Sequence, residues 1–303
     1  MSFRRDIGHA RHPLFFAIAL ACGAGSASAA TVTVGSADDS AISTACNLRN
    51  AIASINAGGP NTSCLSSISG TFGSNDTIVF APALVGSTIT LAQGELAVTA
   101  ATVVAGSGQT LQGDPAGGRL IHATATLSLD RLTLSGGTTS DSGGALYASG
   151  TGISVEISNT TVSGNHADGH GGGIRVLTSG GTFILSNSTI TANTSNSEGG
   201  GLDIGNVHAT ISDSTIAGNI ATCAGDVYCT GGIYVAAARV DFTHSTISGN
   251  SATCAGNSCF TIGALYAWVS SVSFVDSTIT GNSATAADNV VGGLWESHST
   301  NAI

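Results

Sequence analysis

The sequence predicts an all-β fold: a right-handed parallel β-helix, or solenoid, with a short N-terminal capping helix. Three observations carry that expectation: an internal repeat, a two-residue apolar period over very short runs, and a composition that favours turns over helices. The phrases ISNTTVSGN, LSNSTITAN, ISDSTIAGN, FTHSTISGN and FVDSTITGN end at Asn165, Asn193, Asn219, Asn250 and Asn282, and a degenerate copy, LDRLTLSGG, ends at Gly137. Each is followed by a glycine turn and an apolar segment: GGALYA, GGGIRV, GGGLDI, TGGIYV, IGALYA and VGGLWE. The second residues of these segments are Gly144, Gly172, Gly200, Gly231, Gly263 and Gly292, at spacings of 28, 28, 31, 32 and 29 residues. A period of this length marks units that bury a continuous core only by stacking.

Within a unit, Val155 and Ile157 alternate with polar residues, Val162 stands alone between polar neighbours, and Ile174 and Val176 alternate again. Period two over three to five residues means short strands with one buried face, three to a unit. The crossover rule makes the winding right-handed. Each inward aliphatic contributes about 1.5–3 kcal/mol on burial. The recurring asparagine suits an internal ladder, its amide bonding to the turn of the next coil and satisfying buried backbone groups.

Upstream of the regular coils, which begin at about residue 127, residues 76–113 show the same short strands without the asparagine phrase, so the solenoid is expected to run over 76–303. Residues 30–75 form an N-terminal cap. In it, 43–58 is the one good helix candidate: Leu48, Ala51, Ile52 and Ile55 lie at helical spacing, and Gly58 can terminate it. Residues 1–29 read as a signal peptide. Arg4, Arg5 and Arg11 give a basic start, LFFAIALA (14–21) an apolar segment and ASA (27–29) a cleavage site. The apolar run is too short to cross a bilayer core of ~30 Å as a helix.

Charged residues make up only 9% of the chain, glycine accounts for 42 of 303 residues, and all eight basic residues are arginine. Glycine and threonine on this scale suit tight turns and pleated surfaces. Without residues 1–29, five arginines face 17 acidic residues, a net charge of −12. That excludes nucleic acid as a partner, since binding it requires basic side chains against phosphate. It also argues against unassisted binding to anionic membranes and polyanionic sugars. Six cysteines remain, an even number in an exported chain, so disulfides are expected.

CNLRNAI (46–52), followed by DTIVF and then the STIxGN and GGG units, resembles the CSLREA-type N-terminal domain of exported bacterial proteins that continue as right-handed β-helices. The repeats are similar to those of polymorphic outer-membrane proteins in the pectin-lyase-like superfamily. The resemblance covers nearly all of the chain after the signal segment. Asn47 and Asn50 depart from it, standing where serine and glutamate are typical. It implies an exported, extracellular or outer-surface protein. It is specific for fold and weak for function, because the superfamily hosts lyases, hydrolases and adhesins.

Enzymes of that superfamily carry recognisable tools. Gly169-His170-Gly171 matches a hydrolase GHG phrase, but the Asp-Asp pair expected on a neighbouring coil is missing, and Asp38-Asp39 lies far upstream. A lyase's Arg-Ile-Lys phrase cannot exist without lysine. No catalytic residue is therefore assigned. His166, Asp168 and His170 share one loop, a conceivable transition-metal site, but the equivalent loop after Asn193 has no histidine. No metal site and no cofactor are assigned.

Three residues after each middle glycine stand Tyr147, Arg175, Asp203, Tyr234, Tyr266 and Trp295. Neighbouring coils are ~4.8 Å apart, so Tyr234, Tyr266 and Trp295 should form an exposed aromatic column. Such a column either stacks on sugar rings or consists of mutually supporting cross-strand pairs. The interval from asparagine to middle glycine is 7, 7, 12, 13 and 10 residues along the five copies, and the two longest loops carry the cysteines. Cys223–Cys229 with Cys254–Cys259 would close each loop on itself. Cys223–Cys254 with Cys229–Cys259 would instead tie coil to coil, and four thiolates could hold zinc. The first pairing is preferred, with Cys46–Cys64 clipping the helix.

The expected function is a non-catalytic secreted or cell-surface scaffold, carbohydrate-binding or adhesin-like, with extracellular polysaccharide as partner. A polysaccharide lyase or glycoside hydrolase with an unrecognised site is the competing class. The last segment, LWESHSTNAI, reads as a coil without a cap, which predicts self-association or a further C-terminal region.

Overall fold

The computed structural model describes residues 29–224, 228–256 and 258–297, so the signal peptide expected at 1–29 lies, but for Ala29, outside the described residues. The chain winds as a parallel β-solenoid. One sheet of eight strands stacks, from Leu96–Val98 to Leu294–Ser297, in a single unbroken order, so it takes one strand from each successive turn. Its register is fixed throughout: Leu146 pairs with Ile174, Ile174 with Leu202, Leu202 with Ile233, Ile233 with Leu265 and Leu265 with Leu294.

A regular turn holds four short strands rather than three. They are Val155–Ser158, Thr161–Ser163, His166–Ala167 and Ile174–Ser179. The added strand is His166–Ala167, and the bend between the first two comes from one backbone position. Asn159, Asn187, Asp213, His244 and Asp276 all have φ between 47° and 50° and split the asparagine phrase into two strands. Asn, Asp and His tolerate this left-handed region better than other side chains.

Two ladders of buried polar groups fill the space beside these bends. The Asn165 backbone N–H and Nδ2 both donate to Asn193 Oδ1, and Nδ2 also donates to the Leu134 carbonyl. The same contacts recur from Asn193 to Asn219, Asn219 to Asn250 and Asn250 to Asn282. This is the ladder the repeat predicts. A second one has no counterpart in the sequence reading. The N–H of residue 160 donates to Ser188 Oγ, and the pattern continues through Ser214, Ser245 and Ser277.

The middle glycines are required by close approach. A Cβ at Gly172 would lie against the carbonyls of Thr194 and Gly200, and one at Gly200 against the carbonyls of Gly231 and Ile220. Inside, the aliphatic rows form one continuous core from Val32 to Val272, with Phe242 and Phe274 stacked 4.8 Å apart.

The cap is shorter in helix than 43–58. The helix is Leu48–Ala57, because Asn47 is its N-cap, accepting from the Asn50 N–H, while its own Nδ2 is held by Asp38 and the Ser40 carbonyl. Asn47 thus performs the capping expected of a serine. Gly58, at φ 60°, ends the helix as predicted. Cys46 is bonded to Cys64 in the adjacent 3₁₀ turn Thr62–Ser67. Leu48, Ala51, Ile52 and Ile55 pack into the core, and Arg49 reaches Asp39 and the carbonyls of Gly94 and Glu95, fixing helix to solenoid. Asp38 and Asp39 therefore both serve the cap.

Candidate functional site

The column three residues after each middle glycine forms as the spacing requires: Tyr147, Arg175, Asp203, Tyr234, Tyr266 and Trp295 are paired in succession, with His122 below Tyr147. All lie on the outer face of the eight-stranded sheet. One half of the column is charged and the other aromatic.

In the charged half, Tyr147 stacks on His122 at 5.4 Å, and the Arg119 and Arg175 guanidinium carbons lie 5.2 and 5.7 Å from the Tyr147 ring centroid. Arg119 donates to Glu95 and Asp141 at 2.7 and 2.9 Å. Arg175 contacts Asp203 at 3.0 Å and donates to Ser142 Oγ at 2.8 Å. His170 Nδ1 is 2.6 Å from Glu198 Oε2 and 4.0 Å from Asp203 Oδ2.

These contacts set the protonation states. The Glu198 hydrogen bond raises the His170 imidazole above its ordinary value, so the ring favours the charged form. Burial pushes Glu198 upward, but the hydrogen bonds from His170 and Ser197 outweigh it and hold the carboxyl below its ordinary value. For Asp203 burial wins: despite Arg175 and His170, its carboxyl is raised to about 6. Burial, with Glu198 and Asp203 nearby, also raises the Tyr234 phenol.

The aromatic half departs from the expected exposed column. Tyr266 is only 1% exposed, because Tyr228 stacks over it at 5.0 Å and Tyr234 tilts against it at 5.5 Å. Tyr228 also stacks on Phe260 at 5.4 Å, and Phe260 meets Trp295 at 6.2 Å. Tyr234 is half-buried, whereas Trp295 and Tyr228 are 39% and 42% exposed. The result is an aromatic cluster two strands wide. Beside it lies a cavity of about 200 Å³ lined by Phe260, Ile262, Asn289, Val290, Val291 and Trp295.

The second strand comes from the lengthened loops of the later turns, two of which are stapled. Cys223–Cys229 and Cys254–Cys259 are bonded within their loops, not between coils. With Ala221 and Ala252 they make a separate small core. Each stapled loop returns as an added strand, Tyr228–Thr230 or Phe260–Ile262, paired Tyr228 to Phe260, and the next turn adds Val290–Val291 to the same sheet without a staple.

Tyr228, Phe260 and the His170–Glu198 pair were missed by sequence reasoning that followed one column only. His170 and Glu198 both stand two residues before a middle glycine, and Tyr228 and Phe260 both stand three before one. His166 and His170 do not converge: His166 contacts Thr194 and Asp168, and His170 faces Glu198.

Fold and site together define a disulfide-stapled parallel β-solenoid with a charged and aromatic outer face, a chain suited to an oxidising, extracytoplasmic environment. The chain matches no protein-family model and no curated protein.

Proposed function

We propose that the protein is an exported, cell-surface or extracellular scaffold that binds polysaccharide on the aromatic half of this face. The CSLREA-type start, right-handed winding and signal peptide belong to the same reading. One observation carries it: Tyr228 and Trp295 stay exposed beside Phe260 and a cavity with no charged lining. Exposed flat rings stack on the apolar faces of sugars, and a cavity smaller than the ~300 Å³ at which drug-sized sites begin suits a single ring. Among the residues expected to bind, Trp295 contacts ligand directly, Tyr234 borders the site, and Tyr266 supports Tyr228 from beneath. Retention on a panel of immobilised polysaccharides tests this. Wild-type protein should be retained by at least one of them and the Tyr228→Ala/Trp295→Ala variant released; equal retention of both would reject the reading.

A second reading, cleavage of the bound polysaccharide, is favoured by the His170–Glu198–Asp203 group. It combines an oriented imidazole with a carboxyl raised to about 6, a suitable pair of proton donor and acceptor. Release of reducing ends by wild-type protein, abolished in His170→Ala, is the outcome it requires.

A further inference from the structure

Resting on polysaccharide binding as its premise, we infer that the ligand class is neutral, hydroxyl-bearing glycans and that polyuronates are excluded. Unassisted recognition of a polyanion requires cationic side chains available to it. Among the described residues there are five arginines, and each is engaged by a carboxylate: Arg49 by Asp39, Arg119 by Glu95 and Asp141, Arg131 by Asp130, Arg175 by Asp203 and Arg239 by Asp241. The five described histidines, from His122 to His244, each lie within 4.0 Å of a carboxylate as well. The chain has no lysine and a net charge of −10.

On the same face the pattern holds. Arg175 stands in the column and Arg119 lies over Tyr147, and both are engaged by carboxylates of the protein. The cavity at Trp295 offers aromatic and aliphatic walls with one amide side chain, Asn289, which can donate to and accept from a hydroxyl. A uronate carboxylate placed there would lose water and meet no countercharge, at the cost of an unpaired buried charge. A neutral sugar gains the stacking and keeps its hydroxyls hydrogen-bonded.

The test is equilibrium binding to soluble chains of matched length, with glucan, xylan and galactan set against polygalacturonate, at low and high salt. The expected result is binding to at least one neutral chain, unchanged by salt and weakened about tenfold by Trp295→Ala, with polygalacturonate weaker by at least about tenfold. Preferred binding of polygalacturonate, lost in Trp295→Ala, would overturn the neutral class while leaving polysaccharide binding intact. Binding of neither kind would overturn both. So would a dimer in solution that Trp295→Ala converts to a monomer, since the face would then be occupied by a second copy. Melting of Trp295→Ala within a few degrees of wild type shows that the variant is folded.

Discussion

At the scale of single residues, buried polar groups carry more consequence than the apolar core. Asn219 satisfies the Asn193 N–H and Nδ2 with its Oδ1, and the Ile190 carbonyl and Asn250 Oδ1 with its Nδ2. Each buried group left unpaired costs about 1–3 kcal/mol. Asn219→Ala should therefore lower unfolding stability by at least about 3 kcal/mol in urea titration, more than Ile216→Val beside it, for which about 0.5–1.5 kcal/mol is expected. Asp203 makes a pH-dependent prediction. Its carboxyl is raised from 3.8 to about 6, so the unfolded chain gives up this proton first, and stability falls as pH rises from about 4 to about 6. His170, also raised, adds a loss in the same direction at higher pH, and Glu198, lowered, an opposite loss at acid pH. The stability of Asp203→Asn relative to wild type should therefore climb by about 2 kcal/mol between pH 4 and 6, the larger part of the total expected at about 1.4 kcal/mol per pKa unit. A difference that stays flat across this range would contradict the raised value.

At the scale of elements, the enlarged loops show what a staple adds beyond stability. Closing a loop as short as Cys223–Cys229 is worth about 2 kcal/mol in the chain-entropy account. The larger effect is positional, because the staple delivers Tyr228 onto Tyr266 and Phe260. The Cys223→Ser/Cys229→Ser variant should melt several degrees lower and uncover Tyr266, which tyrosine nitration followed by mass spectrometry would register. The solenoid was legible in sequence because six copies of a phrase repeat the same inward and outward choices, and the +3 column followed by counting. Two things were not legible. The two-residue strand His166–Ala167 turns a single small side chain, Ala167, inward, so it leaves no apolar alternation for periodicity to read. The burial of Tyr266 depends on a loop of variable length folding back, and no fixed period records that. The His170–Glu198 pair was within reach of the same counting applied two residues before the glycine.

At the scale of the whole molecule, the regular turns sit on one another with the recurring asparagines and glycines in register, from the Asn165–Asn193 rung to the Gly144–Gly172 contact. Interactions are therefore almost entirely between neighbours, as in other stacked repeats. Residues 166–193 comprise one whole turn of 28 residues, and joining Asn165 to Thr194 places the chain where Asn193 would have left it. A protein with this segment excised should fold with three disulfides and a strand-rich circular dichroism spectrum. It would lose His170 and Arg175 but keep the Tyr228–Phe260–Trp295 cluster, so glycan retention should survive while any cleavage disappears. Collapse of the excised chain would mean that the turns are not interchangeable. The in-phase stacking thus gives the molecule a grammar of whole units. A lineage can splice turns in or out, lengthening or shortening the outer face and trading one surface chemistry for another, without renegotiating the core.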